Sequence, residues 1–236
     1  SHPEEQTLWA WRYIYRREPT AAELALALAH LRGQKKRFSD DANSHSASTP
    51  KAKWPPELQL ALFADQGVES DDAARVRMWR DQSGQGHHAS QPSEVHRPKL
   101  PEEESDTGLI FDGQSRYLNV AGSLIEGQQS TLIAVATDSG KSGHREIISN
   151  WNGGAGNSVT SLFLGITDEQ TFRFSDALAG GFWIGDRQKP AVLTAIAGPN
   201  DARVWVNEQL VAERGSPLPD RRLDTDWVIG QQGNIN

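Results

Sequence analysis

The sequence predicts a mainly β protein, a two-layered sandwich of jelly-roll topology with a short α-helical hairpin in front. One observation is the run of short apolar segments of strand period between residues 58 and 230. The other two are strand-to-turn stretches that frame residues 76–120. The first reads Met78-Trp79-Arg80-Asp81-Gln82-Ser83-Gly84-Gln85-Gly86-His87-His88-Ala89. Val76 and Met78 alternate with charged residues before Trp79, and Gly84 and Gly86 supply turn conformations that other residues resist. In the second, Asp112-Gly113 is a strong turn signal between apolar 109–111 and the alternating run 117–120.

Taken in order, residues 4–32 read as a helical hairpin. Leu8, Trp11 and Tyr15 lie at i, i+3, i+7, with Trp9, Tyr13 and Ile14 widening the stripe. Pro19 ends this helix, and Thr20-Ala21-Ala22-Glu23 forms a capping box for the next. Leu24, Ala27, Leu28 and Leu31 are its apolar stripe, and Gly33 is a suitable stop. Two short helices this apolar cannot bury both faces alone, so residues 1–33 read as the C-terminal remnant of a larger helical domain. Residues 34–56, rich in Ser, Asp, Ala, Asn, Lys and Pro without periodicity, read as a flexible linker.

The sandwich is expected over 57–236. Its first strand is expected at 58–64, followed by a turn and the first framing stretch. Residues 92–106 look like a surface excursion. Residues 130–137, apolar at both alternating positions, predict a central strand buried on two sides. Strands at 146–150 and 161–165 flank a loop over 151–157, and 171–175 and 181–185 follow. The runs 191–197 and 202–206 flank the turn Gly198-Pro199-Asn200-Asp201, with a hairpin over 206–210 and a last strand over 227–230. Trp79, Trp205 and Trp227 are expected to cap the core.

Composition excludes several functions. The 236 residues contain no cysteine, which removes disulfides, thiolate metal sites, cysteine nucleophiles and covalent c-type haem attachment in this chain. No apolar run reaches membrane-spanning length. The net charge of −7 is uneven: residues 1–37 carry seven Lys/Arg against four Asp/Glu, and residues 38–236 carry 17 against 27. An acidic main domain repels a phosphate backbone, so nucleic acid is not an expected partner.

The two framing stretches resemble the laminin-G-like (LamG) domain of the concanavalin A-like lectin/glucanase superfamily. They match its "W-x-D-x-S-G-x-G-x-x-A" and "F-D-G-x-x-x-Y-L" motifs, from Trp79 to Ala89 and from Phe111 to Leu118. Trp227-Val228-Ile229-Gly230 resembles the family's "W-x-I-G" strand, and Val206-Asn207-Glu208-Gln209-Leu210 its "V-N-G-x-L" hairpin, with Glu208 in place of Gly. The family's closing strand, "G-x-I-A-E-V-L-V-Y", has no counterpart before Asn236, so the sandwich is expected to be C-terminally truncated and less stable than the whole domain. Arg17-Glu18-Pro19-Thr20-Ala21-Ala22-Glu23-Leu24 resembles the end of a domain of unknown function in planctomycete cytochrome-c-containing surface proteins. That resemblance implies an extracytoplasmic, cell-envelope setting, with any haem in an upstream region.

The residues that would carry chemistry are few. The glucanase branch needs an alternating "E-x-D-x-x-E" strand, since period two puts its carboxylates on one face. No such set exists here, and no GxSxG, phosphate-loop, HExxH or EF-hand pattern is present. No catalytic residue and no enzyme activity is therefore expected. Asp81 and Asp112 are the residues a calcium ion would use, although aspartates at such corners more often hold backbone amides. Sugar binding needs an aromatic platform beside amides or charges. Two places qualify: Trp151 with Asn150 and Asn152, and Trp183 with Asp186 and Arg187. The expected function is a non-catalytic recognition module for a glycan or a protein surface. The alternatives are a structural spacer without a ligand and a diverged glycoside hydrolase.

Overall fold

The structure is a computed structural model; it describes residues 20, 21, 24, 56–102, 108–138, 143–151, 160–167, 171–182 and 189–231. The chain divides into two compact units, Ser1–Lys53 and Trp54–Asn236. Of the first, Thr20, Ala21 and Leu24 are described, and the Leu24 N–H donates to the Thr20 carbonyl at 3.0 Å, one helical turn. The rest of the expected hairpin and the linker lie outside the described residues.

The second unit is built from two antiparallel sheets. Its strands are β1 (Val68–Ser70), β2 (Val76–Trp79), β3 (Ala89–Ser90), β4 (Leu118–Val120), β5 (Ser130–Ala136), β6 (Arg145–Ser149), β7 (Phe163–Ile166), β8 (Thr171–Phe174), β9 (Leu178–Phe182), β10 (Ala191–Ala197), β11 (Ala202–Val206), β12 (Gln209–Arg214) and β13 (Trp227–Ile229). Nine of them pair in the order β1-β2-β3-β4-β13-β6-β7-β8-β9, and four in the order β12-β11-β10-β5. This is the expected mainly β sandwich.

Period two decides what faces inward. On β10, Ala191, Leu193, Ala195 and Ala197 are buried, while Val192, Thr194 and Ile196 turn outward. Ala202, Val204 and Val206 on β11, Phe172 and Phe174 on β8, and Trp227 and Ile229 on β13 join them in one core. Each large side chain buried there stabilises the fold by about 1.5–3 kcal/mol. Gly230 shows why the strand at 227–230 must end in glycine. Its φ is +86°, and a Cβ there would lie 2.1 Å from the Phe111 ring, which belongs to the second framing stretch.

Three expectations are corrected. Residues 58–64 form no strand; the stretch makes a single bridge, Phe63 with Gln66. Leu60 and Leu62 still pack on the core. Its backbone, however, is held by the first framing stretch: the Ala61 carbonyl accepts the Gln82 amide at 2.8 Å, and the Phe63 carbonyl accepts the Trp79 indole N–H at 2.8 Å. Among the described residues the run at 130–137 is not central but an edge strand, paired there with β10 alone. It is apolar at both positions because Ile133 and Val135, each 69% exposed, face away from the core. Trp205 does not cap the core either; it lies between buried Val204 and Val206 and points to the opposite face.

Smaller shifts have local causes. Residues 93–100 are more than an excursion, since Pro98 accepts the Val76 amide at 2.7 Å and Lys99 bridges both Arg75 and Ile110. β9 begins three residues before the expected 181, where Phe174 pairs with Leu178. In the hairpin after β11 the left-handed residue is Asn207, φ +53°, so Glu208 needs no glycine conformation. No helix among the described residues is long and apolar enough to cross a membrane.

Candidate functional site

The two family-like corners are cages for a carboxylate. Asp81 Oδ1 accepts the amides of Ala61 and Ser83, both at 2.9 Å; Oδ2 accepts those of Gly86 at 3.0 Å and His87 at 3.2 Å, and the Ser83 hydroxyl at 2.6 Å. His88 completes the corner, its Nδ1 accepting the Asp81 amide at 3.1 Å. Burial alone would raise the Asp81 pKa; the Ser83 hydroxyl and the converging amides outweigh it and leave the carboxyl lowered. Asp112 repeats the device with the amides of Gln114, Ser115 and Arg116 at 3.0, 2.8 and 2.9 Å and the Ser115 hydroxyl at 2.8 Å. Its carboxyl is also lowered, burial again opposing and the amides prevailing. Both residues thus hold turns. Among the described residues no three His, Asp or Glu side chains converge as metal ligands.

The aromatic candidate at the end of β6 divides into two roles. Asn150 is 5% exposed, and its amide ties chain segments together. Its Oδ1 accepts the Leu162 amide at 2.8 Å, and its Nδ2 donates to the Arg222 carbonyl at 2.8 Å and the Thr225 hydroxyl at 3.2 Å. Trp151 turns the other way, against Phe163, with ring centroids 6.4 Å apart. Asn152, Trp183, Asp186 and Arg187 lie outside the described residues.

Around Trp151 the structure assembles residues that sequence reading did not single out. Phe163 and Gly165 alternate with the core residues Leu164 and Ile166 and so lie on the opposite face of the nine-stranded sheet, where both are buried as well, Phe163 at 0% exposure. Register places Glu146, Gly165 and Arg173 side by side on β6, β7 and β8. The Arg173 guanidinium stands 4.7 Å above the Phe163 ring. Its Nη1 lies 3.1 Å from His144 Nδ1 and 3.9 Å from Glu146 Oε1. The Glu146 side chain is 1% exposed. It fits because Gly165 has no side chain: a Cβ there would sit 1.9 Å from Glu146 Oε2. The Trp151 indole N–H is buried and meets no acceptor. The result is a row of indole, phenyl, guanidinium and carboxylate, with exposed His144 at its end. The signal that would have found it is a charge inside an otherwise apolar strand, Glu146 before Ile147-Ile148 and Arg173 between Phe172 and Phe174.

An open cleft of about 410 Å³ is lined in part by Arg222, whose carbonyl Asn150 holds. Ser123, Ile125, Gln128, Arg221, Leu223 and Asp224 line it. The Arg221 backbone is gripped by Gln128, whose Oε1 accepts its amide at 2.7 Å and whose Nε2 donates to its carbonyl at 3.0 Å. The Arg221 side chain, 2% exposed, bonds Asp176 at 2.7 Å.

The second unit is therefore an antiparallel two-sheet β-sandwich carrying a largely buried aromatic and charged row on the face of one sheet turned away from the core. No protein-family model and no curated protein matches it. Solved structures do resemble it. Trypanosoma rangeli sialidase in complex with 2,3-difluorosialic acid, a covalent intermediate, aligns with a TM-score of 0.50 at 19% identity, covering 92% of this chain and 35% of that one. The same enzyme with the inhibitor DANA gives 0.50 at 18%, covering 90% and 34%. The Ruminococcus gnavus IT-sialidase CBM40 gives 0.35 at 12%, covering 45% and 66%. The chain spans about a third of the length of the trypanosomal enzyme. The two alignments at a TM-score of 0.50 show, at such identities, a shared fold and nothing more.

Proposed function

We propose that this chain is a non-catalytic recognition module that binds a glycan. The observation that carries the reading is the row of Trp151, Phe163, Arg173 and Glu146 at the ends of β6–β8. The half-buried Trp151 indole suits the C–H face of a sugar ring and the half-buried Arg173 guanidinium its hydroxyls, while fully buried Phe163 and Glu146 hold the two in place. The proposed family is the laminin-G-like one, supported by the two corner motifs. The proposed setting is a multidomain, extracytoplasmic envelope protein of the planctomycete cytochrome-c type, supported by the stretch from Arg17 to Leu24.

The test is a glycan array probed with the 236-residue chain beside Trp151→Ala and Arg173→Ala. Binding to one glycan class that weakens at least tenfold in Trp151→Ala, about 1.4 kcal/mol, with an unchanged far-UV spectrum, is the expected result. A second reading is a structural spacer. It is favoured by Asp81, Asp112 and Asn150, the polar groups at the corners and rim, all of which hold the fold itself. A folded chain that binds no glycan and no protein surface supports the spacer. Release of reducing sugar, lost in Glu146→Gln, would point to a diverged glycoside hydrolase and overturn the non-catalytic reading.

A further inference from the structure

Glu146 of β6 and Arg173 of β8 flank Gly165 of β7 in register. The absent side chain at Gly165 opens a slot, and the Glu146 carboxylate fills it, with Oε1 3.9 Å from Arg173 Nη1. Carboxylates are rarely buried without a countercharge, and here the Arg173 guanidinium supplies one. The same Nη1 lies 3.1 Å from His144 Nδ1. A guanidinium carries donors and no acceptor, so Nδ1 accepts, and an imidazole that accepts there is the neutral one. Beneath the guanidinium, at 4.7 Å, is the face of the Phe163 ring, which attracts a cation. Arg173 is thus balanced on its inner side by a carboxylate and a ring face, while its side chain stays 16% exposed and within reach of a ligand.

We propose that this row is selective for neutral glycans, read through hydroxyl and amide oxygens, and discriminates against glycans bearing a carboxylate or sulfate. The inference rests on the glycan reading above and adds the charge class of the ligand; Glu146 is its positioning residue. An anionic sugar would bring its charge to a guanidinium already balanced by Glu146, and would face that carboxylate across a buried, weakly screening wall. The cost of taking the anion out of water would then not be offset. A hydroxyl makes no such demand. With Nη1 turned to His144 and Glu146, a guanidinium still has donors on Nε and Nη2 for neutral oxygens. The long-range field acts in the same sense: residues 38–236 carry 17 Lys/Arg against 27 Asp/Glu, which lowers the local concentration of anionic ligands.

The test is an array carrying neutral, uronate-containing, sialylated and sulfated glycans, probed with the 236-residue chain and with Glu146→Gln. The strongest binders of the wild type should be neutral, with acidic counterparts of the same sugar bound about tenfold more weakly. Glu146→Gln keeps the shape of the side chain and removes its charge. In the folded variant the ratio of acidic to neutral binding should rise about tenfold. Loss of a merely structural contact would weaken both alike and leave the ratio unchanged. If the variant does not fold, salt decides the matter on the wild type. Affinity for its strongest binder should change less than about twofold between about 0.05 M and about 0.5 M sodium chloride, whereas a site that captures an anion by charge would lose several-fold. An acidic glycan as strongest binder, a steep salt dependence, or an unchanged ratio in folded Glu146→Gln would overturn the charge selectivity and leave the glycan reading standing. A folded wild type that binds nothing on the array would overturn the glycan reading and the selectivity with it.

Discussion

On the nine-stranded sheet, the face turned away from the core carries Glu146, Arg173, Phe163 and Trp151, packed on one another. On the four-stranded sheet the equivalent face carries Ile133, Val135, Val192 and Leu210, all exposed. The two sheets share one hydrophobic core, so stability does not require this difference. A buried carboxylate and a guanidinium over a phenyl ring are costly to desolvate and are kept in place by each other. An uncharged apolar surface costs little in structure and is satisfied by contact with another surface. The first sheet thus keeps its outward charges packed against aromatic rings, and the second leaves an apolar surface open.

The inner faces of the two sheets carry the largest expected effects. Phe172→Ala on β8 and Leu193→Ala on β10 should each lose about 2–5 kcal/mol in urea denaturation, since both are fully buried in the same core. A cost below about 1 kcal/mol for either would mean the sheets do not share one. Next comes the polar corner of the nine-stranded sheet. Asp81→Ala leaves the buried amide of Ala61 and the part-buried amides of Ser83, Gly86 and His87 without their acceptor and should cost about 2–3 kcal/mol. The more exposed Asp112→Ala should cost about 1 kcal/mol.

Acid titration sharpens the same point. Because the folded-state pKa of Asp81 lies below its unfolded value, the unfolded chain takes up the proton first as pH falls. The stabilisation is therefore complete above about pH 5 and is lost as pH falls through the folded value. Asp81→Ala should flatten this acid limb and leave the neutral plateau merely lowered; an unchanged acid limb would contradict the cage.

Smaller effects separate the outer faces. Arg173→Ala strips Glu146 and the Phe163 ring of the guanidinium beside them and should cost about 1–3 kcal/mol by thermal denaturation. Val192→Thr, at an exposed position of β10, should change stability by no more than about 0.5 kcal/mol. If the two costs were equal, the contrast between the faces would be one of composition only.

Much of this architecture was legible residue by residue. The runs 191–197 and 202–206 coincide with β10 and β11, because strict alternation under a single turn leaves one register. The Asp-Ser-Gly and Asp-Gly corners were legible because turn chemistry is local. Residues 58–64 misled, since their alternation is satisfied by side-chain packing while their backbone partners come from a corner some twenty residues away. Residues 130–136 misled for a different reason: an apolar outer face reads the same whether another sheet layer or another molecule is meant to cover it. At the site, Trp151 was legible as an aromatic beside amides. Asn150 was not separable from it, because its direction depends on where Arg222 and Thr225 arrive.

Strand period, the two carboxylate-held corners and the single sandwich core are written in local sequence, since each follows from contacts within a few residues or from alternation. Only the tertiary structure decided that β5 is an edge, and that Glu146, Gly165 and Arg173 stand in one row under Trp151 and Phe163. Strand order and cross-strand register join residues tens of positions apart, and no local pattern carries that information.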